Sequence, residues 1–221
     1  MTMKITHHLD TSTLMTCAAG SQPEPLAAVV SSHLAVCPQC RRELDDLSLI
    51  GEALFETLPP EPVVRGAPVV ALRAGEAALP SHAPISDIDD NDSADVPLPL
   101  RAILGPRLAD LKWKRLSPGI WHYPIELSEG ASGDLRLLKV APGVALPEHG
   151  HGGSELTLVL QGSYTDSIGT FRAGDVADLG DDVEHRPVAD PIEGCICLVA
   201  SDRKVRFRSL LARLAQPFTG L

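Results

Sequence analysis

Three residues that suit a soft metal ion lie close together in the stretch HLAVCPQC, which contains His33, Cys37 and Cys40. Imidazole nitrogen and thiolate sulfur are the usual ligands of zinc in tetrahedral structural sites. His33 and Cys37 are one helical turn apart, and Pro38 suits the first turn of a following helix, which would return Cys40 to the same ion. The spacing therefore predicts a zinc site for which this stretch supplies three ligands.

The fourth ligand of this site has three candidates. His7 and His8 precede the first predicted helix, and Cys17 lies within it. The spacing of the residues does not choose among them. It also leaves open a plainer interpretation, in which Cys37 and Cys40 are a reduced cysteine pair at a junction between two helices.

A second group of metal-binding residue types lies more than a hundred residues further on, in GVALPEHGHGGSELTLVLQG. His149 and His151 are two residues apart, so on a strand their side chains point to the same side. Glu155 begins the next predicted strand, and His185 in DDVEHRPV is the expected fourth ligand. Imidazoles and a carboxylate that converge from adjacent strands predict a divalent-metal site with an open position.

The elements that have to position the first cluster are helical. Asp10 or Thr11 caps the first predicted helix, and Gly20 stops it. Residues three and four apart define one face in each of the next two helices: Leu26, Val30, His33 and Cys37 in the second, and Leu44, Leu47, Ile50, Leu54 and Leu58 in the third. Such short helices make a thin core, so a metal or a partner is expected to support it.

Several apolar residues of these helices fall partly off the two faces. They are Val29, Val30, Leu34, Leu49 and Phe55. Two interpretations are open for them. They contact a partner protein, or they pack against a fourth helix that the stretch APVVALRAGEAAL predicts.

The rest of the chain divides into a linker and a β-rich region. The acidic run SDIDDNDSADVP predicts a flexible linker over residues 80–97, between a helical domain of residues 1–79 and a second domain of residues 98–221. After a possible helix in LRAILGPRLADLKW, short segments such as LRLLKVAPG and CICLVASD are broken by Gly, Pro and Asp. This pattern predicts an all-β sandwich or barrel.

Composition narrows the function classes. The chain has 221 residues, 44% of them hydrophobic, and a net charge of −10, which favours a protein partner over direct binding of nucleic acid. No signal-peptide pattern and no long apolar run is present, so a cytoplasmic protein without a membrane span is expected. Cys195 and Cys197 are predicted to share one face of a strand, either as core residues or as a redox-active pair near the barrel metal.

The second cluster resembles the first signature motif of the cupin superfamily. All five fixed positions and their spacing, from Gly143 to Gly162, match. The stretch GDVADLGDDVEHRPVA resembles the second motif less closely: Gly174 and His185 fit, whereas Gly180, Asp182 and Ala189 stand where that family prefers Pro, Gly and Asn. The resemblance implies a double-stranded β-helix that holds zinc or another divalent metal inside the barrel.

The first cluster resembles the zinc-binding anti-sigma domain. The order of the predicted parts, with this domain first, then a linker and then a cupin domain, is similar to that of the ChrR family of anti-sigma factors. The features that resemble this family are HHLD, HLAVCPQC, HGHGGSELTLVLQG, CICLVASD and LAQPF. The family pattern favours His8 over His7 as the upstream ligand. The resemblance implies an α+β multidomain protein, in which a small all-α zinc-binding domain is followed by an all-β cupin barrel.

The same resemblance implies a function. The helical domain would bind an extracytoplasmic-function-type sigma factor in a 1:1 complex, and the cupin domain would cause release on an oxidative signal, such as singlet oxygen or an organic hydroperoxide. No enzymatic activity is expected of such a regulator. Two alternatives remain: a metal-dependent cupin dioxygenase with a helical accessory domain, and a cupin that only adds stability to an anti-sigma domain.

Overall fold

The computed structural model describes residues 4–60, 94–150, 152–181 and 183–203, together with the backbone of residues 206–207. The possible helix in APVVALRAGEAAL, linker residues 80–93 and His151 lie outside the described residues. Within the described part of the chain, no helix combines the length and the apolarity that a membrane span requires.

Three helices form the N-terminal region, as predicted: α1 (Thr11–Ala18), α2 (Glu24–Val36) and α3 (Pro38–Thr57). Gly20 ends the first of them in the left-handed conformation, with a φ of +63°. Pro38 occupies the first turn of α3, where its missing N–H costs no hydrogen bond. Cys37 caps the same helix, because its Sγ accepts a hydrogen bond from the Cys40 N–H at 3.4 Å.

The predicted helix in LRAILGPRLADLKW is shorter in the structure. It consists of a 3-10 turn at Leu98–Leu100, the one-turn helix α4 (Arg101–Leu104) and a second 3-10 turn at Leu108–Asp110. Gly105 takes a φ of +76° and Pro106 follows it, so the helix cannot continue between the two turns. Local backbone chemistry therefore overrides the apolar periodicity in this stretch.

The end of the predicted linker contacts the barrel. Val96 is buried, and the Asp95 carboxylate accepts hydrogen bonds from the Leu108 N–H at 2.6 Å and from Gln161 Nε2 at 2.8 Å. These contacts attach residues 95 and 96 to the second domain. The domain boundaries themselves stay a prediction.

Eleven strands make up the described part of the second domain. They are β1 (Lys114–Ser117), β2 (Ile120–Pro124), β3 (Asp134–Val140), β4 (His149–Gly150), β5 (Glu155–Thr165), β6 (Thr170–Arg172), β7 (Val176–Leu179), β8 (Glu184–His185), β9 (Val188–Ala189), β10 (Cys195–Ser201) and β11 (Arg206–Phe207). One antiparallel sheet has the order β1-β2-β3-β10-β5-β6, with β7 and β9 also paired to β5, and a second has the order β11-β4-β8. The predicted fold class, a helical region followed by a cupin-like β domain, is confirmed.

The central strands of the larger sheet are buried on both faces. In β3, β5 and β10, successive residues alternate between the interior of the barrel and its outer face. Leu137, Leu158 and Leu198 are fully buried on the outer face. This double burial explains why these strands read as nearly continuous apolar runs.

Helix α2 covers that outer face. Leu26, Val29 and Val30 are buried in the same hydrophobic core as the outward leucines of the sheet. Val29 and Val30 therefore pack on the barrel of their own chain, a contact that neither interpretation included, and the predicted fourth helix lies outside the described residues. The helical region and the barrel share one core.

Gly162 shows why the last residue of the first cupin motif is glycine. Its φ is +68°, and a Cβ added there would lie 2.1 Å from the Gly194 carbonyl oxygen. The register between β5 and β10 shifts by one residue close to this point, between Ile196 and Cys197. A bare backbone is required where β5 passes from one pairing to the next.

Replacement of Gly162 by alanine should destabilise the fold more than a comparable change elsewhere. Gly162→Ala is expected to lower the free energy of unfolding by about 2–5 kcal/mol, through left-handed strain and overpacking together. Gly130→Ala is the matched control, because Gly130 has a φ of +84° but open space around the added Cβ. The control should lose about 1–2 kcal/mol in denaturant unfolding. Equal losses would contradict the steric argument.

Candidate metal centres

Four side chains from the helical region converge on one point. The ligand atoms of His8, His33, Cys37 and Cys40 all lie within 4.8 Å of one another. His8 Nδ1 is 3.3 Å from Cys37 Sγ and 3.6 Å from Cys40 Sγ. A tetrahedral zinc ion with ordinary bond lengths would hold nitrogen and sulfur ligands about 3.6 Å apart. The cluster therefore has the composition and the spacing of a zinc site, and we call it the helical cluster.

His33 is oriented for metal binding by a backbone group of the barrel. Its Nδ1 is 3.0 Å from the Gly174 carbonyl oxygen, and it is fully buried. Burial lowers the pKa of His33 to about 4, so the ring is neutral at physiological pH and Nδ1 carries the proton that it donates to Gly174. The other nitrogen, Nε2, is buried and has no hydrogen-bond partner in the described structure. Its lone pair is available to an ion.

The Cys40 thiol is also buried in the helical cluster. Burial raises the pKa of this thiol to about 12, with a smaller contribution from the neighbouring Cys37. A thiolate at this position would carry an uncompensated charge in a nonpolar environment. A bound cation supplies the compensation, because it coordinates the deprotonated sulfur directly. The donor set thus fits a soft divalent ion.

The structure places the three candidates for the fourth ligand differently. His8 is in the cluster. His7 Nδ1 lies 3.4 Å from Asp175 Oδ2, and its ring contacts Phe171 with a centroid distance of 4.3 Å. Cys17 is half-buried and is not among the clustered residues. The geometry therefore brings together His8 rather than His7 or Cys17 with the other three residues.

Three of the four predicted barrel residues also converge, and we call them the barrel cluster: His149, Glu155 and His185. His149 and His185 face each other across the β4–β8 pair, and their Nε2 atoms are 3.1 Å apart. Two nitrogens bound to one ion at ordinary angles would be about 3.0–3.4 Å apart. His149 Nδ1 is turned away to the Pro147 carbonyl oxygen at 2.9 Å. Both Nε2 atoms thus face one position.

Asp166 is a site residue that the sequence analysis missed. Its side chain is fully buried, and its Oδ2 accepts a hydrogen bond from His185 Nδ1 at 2.8 Å. A carboxylate behind a histidine ligand fixes the tautomer of the ring and increases its basicity. The sequence around it, TDSIG, indicates only a turn, and no pattern links that turn to His185.

The barrel cluster opens into a cavity of about 250 Å³ with predominantly apolar walls. Leu116, Ile120, Leu138, Val140, Leu146 and Val199 line it. Arg136 also lines the cavity, but its guanidinium is paired with Asp134 and lies 3.3 Å from His122 Nδ1. An internally paired cation offers little attraction to an anionic ligand. The cavity therefore favours a small, uncharged, largely apolar molecule.

Two further groups that line the cavity carry functional side-chain atoms: the Tyr164 hydroxyl and the thiols of Cys195 and Cys197. The Tyr164 hydroxyl is buried and finds no hydrogen-bond partner among the described residues, and burial raises its pKa far above the usual range. Cys195 and Cys197 share one face of β10, as predicted, with their sulfurs 3.2 Å apart. The hydrogen bond that the Cys197 thiol shares with Cys195 and its burial together raise the pKa of Cys197. The Cys197 thiol is therefore protonated and poorly nucleophilic.

Substitution of the adjacent residues His7 and His8, one at a time, should show which of them binds the zinc ion. His8→Ala should abolish tight zinc binding by the helical cluster, because it removes one of four ligands. His7→Ala should retain the zinc, and so should Cys17→Ser. The measurement is zinc content after dialysis against a weak chelator. Loss of zinc in His7→Ala with retention in His8→Ala would contradict the assignment.

Neutralising Asp166 should weaken the barrel cluster selectively. Asp166→Asn is expected to lower the metal affinity of the barrel cluster about 10- to 100-fold, as measured by chelator competition. Asp190→Asn is the matched control, because Asp190 caps a turn in the same manner, through Ile192 N at 2.8 Å and Glu193 N at 2.9 Å. A similar loss of affinity in both variants would show that turn capping, rather than the bond to His185, matters.

Comparison with known proteins identifies the family of this chain. Residues 105–204 match the family model described as "ChrR Cupin-like domain". The chain is 37% identical over 216 residues to anti-sigma-E factor ChrR of Cereibacter sphaeroides, which covers 98% of this chain and 99% of the relative. The crystal structure of Rhodobacter sphaeroides SigE in complex with the anti-sigma ChrR matches with a TM-score of 0.72 and 34% identity, over 90% of this chain and 100% of that chain. The chain therefore belongs to the ChrR family of anti-sigma factors.

Proposed function

We propose that this chain binds an extracytoplasmic-function-type sigma factor in a 1:1 complex in the cytoplasm and keeps it inactive. The observation that carries the proposal is the match over the full length of ChrR, a protein whose crystal structure is a complex with SigE. Both candidate clusters lie within the matched length, so the match covers the binding region as well as the barrel.

An exposed apolar stripe on α3 supplies a docking surface for this partner. It consists of Ile50, Leu54 and Phe55 in the helix and of Leu58, which directly follows the last helical residue. Phe55 is 78% exposed and Leu54 is 62% exposed. An amphipathic helix with large exposed apolar side chains at these spacings is suited to insertion into a groove of another protein.

The polar residues of α3 complement a basic partner. The helix carries five acidic residues and two arginines. Proteins that bind DNA have basic surfaces, and a sigma factor has to contact promoter DNA. An acidic helix with an apolar stripe would cover such a surface and accelerate the encounter electrostatically.

Zinc in the helical cluster has a structural role in this proposal. The helical cluster takes its residues from three places. His8 lies in the N-terminal segment and His33 in α2, and Cys37 and Cys40 lie at the α2–α3 junction. An ion bound by all four would fix the direction in which α3 leaves α2. It would thereby set the orientation of the apolar stripe.

The barrel is proposed to convert an oxidative signal into release of the sigma factor. His149, His151, Glu155 and His185 would hold zinc or another divalent metal, which supplies an open coordination position when bound. The apolar cavity beside it would admit a small molecule, with the Tyr164 hydroxyl as a hydrogen-bond donor. Singlet oxygen and organic hydroperoxides are the candidate signals.

Charge on the apolar stripe should abolish sigma-factor binding. Leu54→Glu combined with Phe55→Glu is expected to weaken the complex at least about 100-fold, since buried charges at the centre of an interface are costly. The measurement is co-expression with the sigma factor encoded beside this chain, followed by size exclusion. Ile192→Glu is the control, because Ile192 is 83% exposed on the barrel. Unchanged binding of the double variant would instead favour the alternative in which the stripe packs within its own chain.

The release function can be tested without truncation of the chain. Glu155→Gln should retain sigma-factor binding but lose release of the partner by an organic hydroperoxide or by photosensitised singlet oxygen. Normal release in this variant would mean that the barrel only stabilises the protein. Oxygen consumption by the metal-loaded wild type in the presence of a small apolar substrate would instead favour a dioxygenase.

A further inference from the structure

One segment of the barrel contacts both candidate metal clusters. It comprises residues 166–175, which include the turn after β5, the strand β6 and the turn before β7. We call it the connecting segment. The residues of the helical cluster all precede it by more than a hundred positions, and His185 follows it. Its backbone joins a residue that contacts the barrel cluster to residues that contact the helical cluster.

The first end of the connecting segment is held by the barrel cluster. Asp166 uses its two carboxylate oxygens for different tasks. Oδ1 accepts hydrogen bonds from Ile168 N at 2.9 Å and Gly169 N at 3.1 Å, which closes the β5–β6 turn. Oδ2 accepts the hydrogen bond from His185 Nδ1 at 2.8 Å. The position of His185 and the shape of this turn are thus linked through one side chain.

The second end is held by the helical cluster. The Gly174 carbonyl oxygen is the hydrogen-bond acceptor of His33 Nδ1. Gly174 has a φ of +90°, a conformation that glycine adopts readily and that sets the direction of this carbonyl. No side chain can replace the contact, because the acceptor belongs to the backbone. The orientation of His33 therefore depends on the conformation of the turn.

Asp175 extends this second contact to the other side of the helical cluster. It is fully buried, and its Oδ1 accepts hydrogen bonds from Thr6 N at 2.6 Å and His7 N at 3.0 Å. Its Oδ2 accepts a hydrogen bond from Arg172 N at 2.9 Å. The carboxylate thus joins the connecting segment to the N-terminal residues that carry His8. Two of the four residues of the helical cluster are positioned from this one turn.

The stretch between the two ends has little freedom. β6 is paired with β5 over its whole length, and the Phe171 ring stacks on Tyr164 with a centroid distance of 5.0 Å. Phe171 also contacts the His7 ring on the helical side. A short strand that is paired along its length and anchored by the buried Phe171 can transmit a displacement at one end to the other.

From these contacts we infer that the connecting segment couples the two clusters, so that metal in the barrel cluster strengthens metal binding by the helical cluster. Loading the barrel cluster fixes His185 and, through it, Asp166 and the β5–β6 turn. The Gly174 carbonyl and the Asp175 carboxylate are then held where His33 and the segment of His8 need them. Emptying the barrel cluster relaxes the same contacts. The inference rests on the proposed metal loading and is independent of the sigma factor.

The coupling has a required symmetry. If barrel metal increases the affinity of the helical cluster by some factor, helical metal must increase the affinity of the barrel cluster by the same factor. Coupling between two sites in one protein is typically about 5- to 150-fold. Asp166, Gly174 and Asp175 act here as positioning residues, since none of them is a proposed ligand.

Cobalt binding by the full-length chain gives a readout of the helical cluster alone. Thiolate-to-cobalt charge transfer absorbs in the near ultraviolet, and the barrel cluster contributes only nitrogen and oxygen ligands. Replacing both Cys37 and Cys40 by serine should remove the band and thereby assign it to the helical cluster. Titration of Glu155→Gln, in which the barrel cluster is disabled, should give a helical dissociation constant about 5- to 100-fold weaker than that of the wild type. His185→Ala is a second variant should Glu155→Gln fold poorly.

Asp175→Asn tests the route of the coupling. This variant should weaken the helical cluster by itself, and adding Glu155→Gln should then cause little further loss. Asp190→Asn, with an equivalent turn cap outside the connecting segment, should leave both the affinity and the effect of Glu155→Gln unchanged. In the reverse direction, Cys40→Ser should weaken barrel metal binding by the factor that Glu155→Gln shows for the helical cluster.

The outcomes separate the coupling from the metal sites themselves. A wild type with two occupied sites, and a helical dissociation constant that Glu155→Gln does not change, would overturn the coupling and leave the proposed metal sites intact. A wild type without the charge-transfer band would overturn the helical zinc site, and the coupling with it. A full effect of Glu155→Gln in the Asp175→Asn background would overturn the role of the connecting segment.

Discussion

Burial of α2 against the outer face of the barrel is the contact on which the other features depend. Val29 and Val30 fill the surface made by Leu137, Leu158 and Leu198, so three short helices gain a core that they could not form alone. Because the sheet is then buried on both faces, packing on each face fixes the register of its strands. The His33 ring can reach a barrel carbonyl only because α2 lies at this position.

The two clusters differ in which charge is compensated and by which group. In the helical cluster, a buried neutral imidazole and a buried thiol with a raised pKa leave room for a cation that compensates thiolate charge. In the barrel cluster, the buried Asp166 carboxylate behind His185 would offset part of the positive charge of a bound ion. The first arrangement favours a permanently held soft ion, whereas the second leaves a position open to the cavity.

Local chemistry in the sequence predicted the fold class and most of the residues that converge in the two candidate clusters. The helical spacing of His33 and Cys37 and the motif that ends at Gly162 involve residues close together in the sequence, so they could be predicted. Contacts between residues far apart in the sequence could not be predicted. The Gly174 carbonyl has no residue signature, and the burial of Val29 and Val30 depends on a sheet more than a hundred residues away. A hydrogen bond such as that between Asp166 and His185 is set by topology, which no local pattern specifies.

The shared core has a consequence for proteolysis of this protein. A single cut between residues 61 and 93 would sever the chain without separating its parts, because α2 would stay attached to the sheet and Thr6 and His7 would stay bound to Asp175. The product would be a nicked but associated complex. Degradation that is to liberate a bound partner therefore has to extract α2 from the sheet, and the free energy of that contact sets its rate.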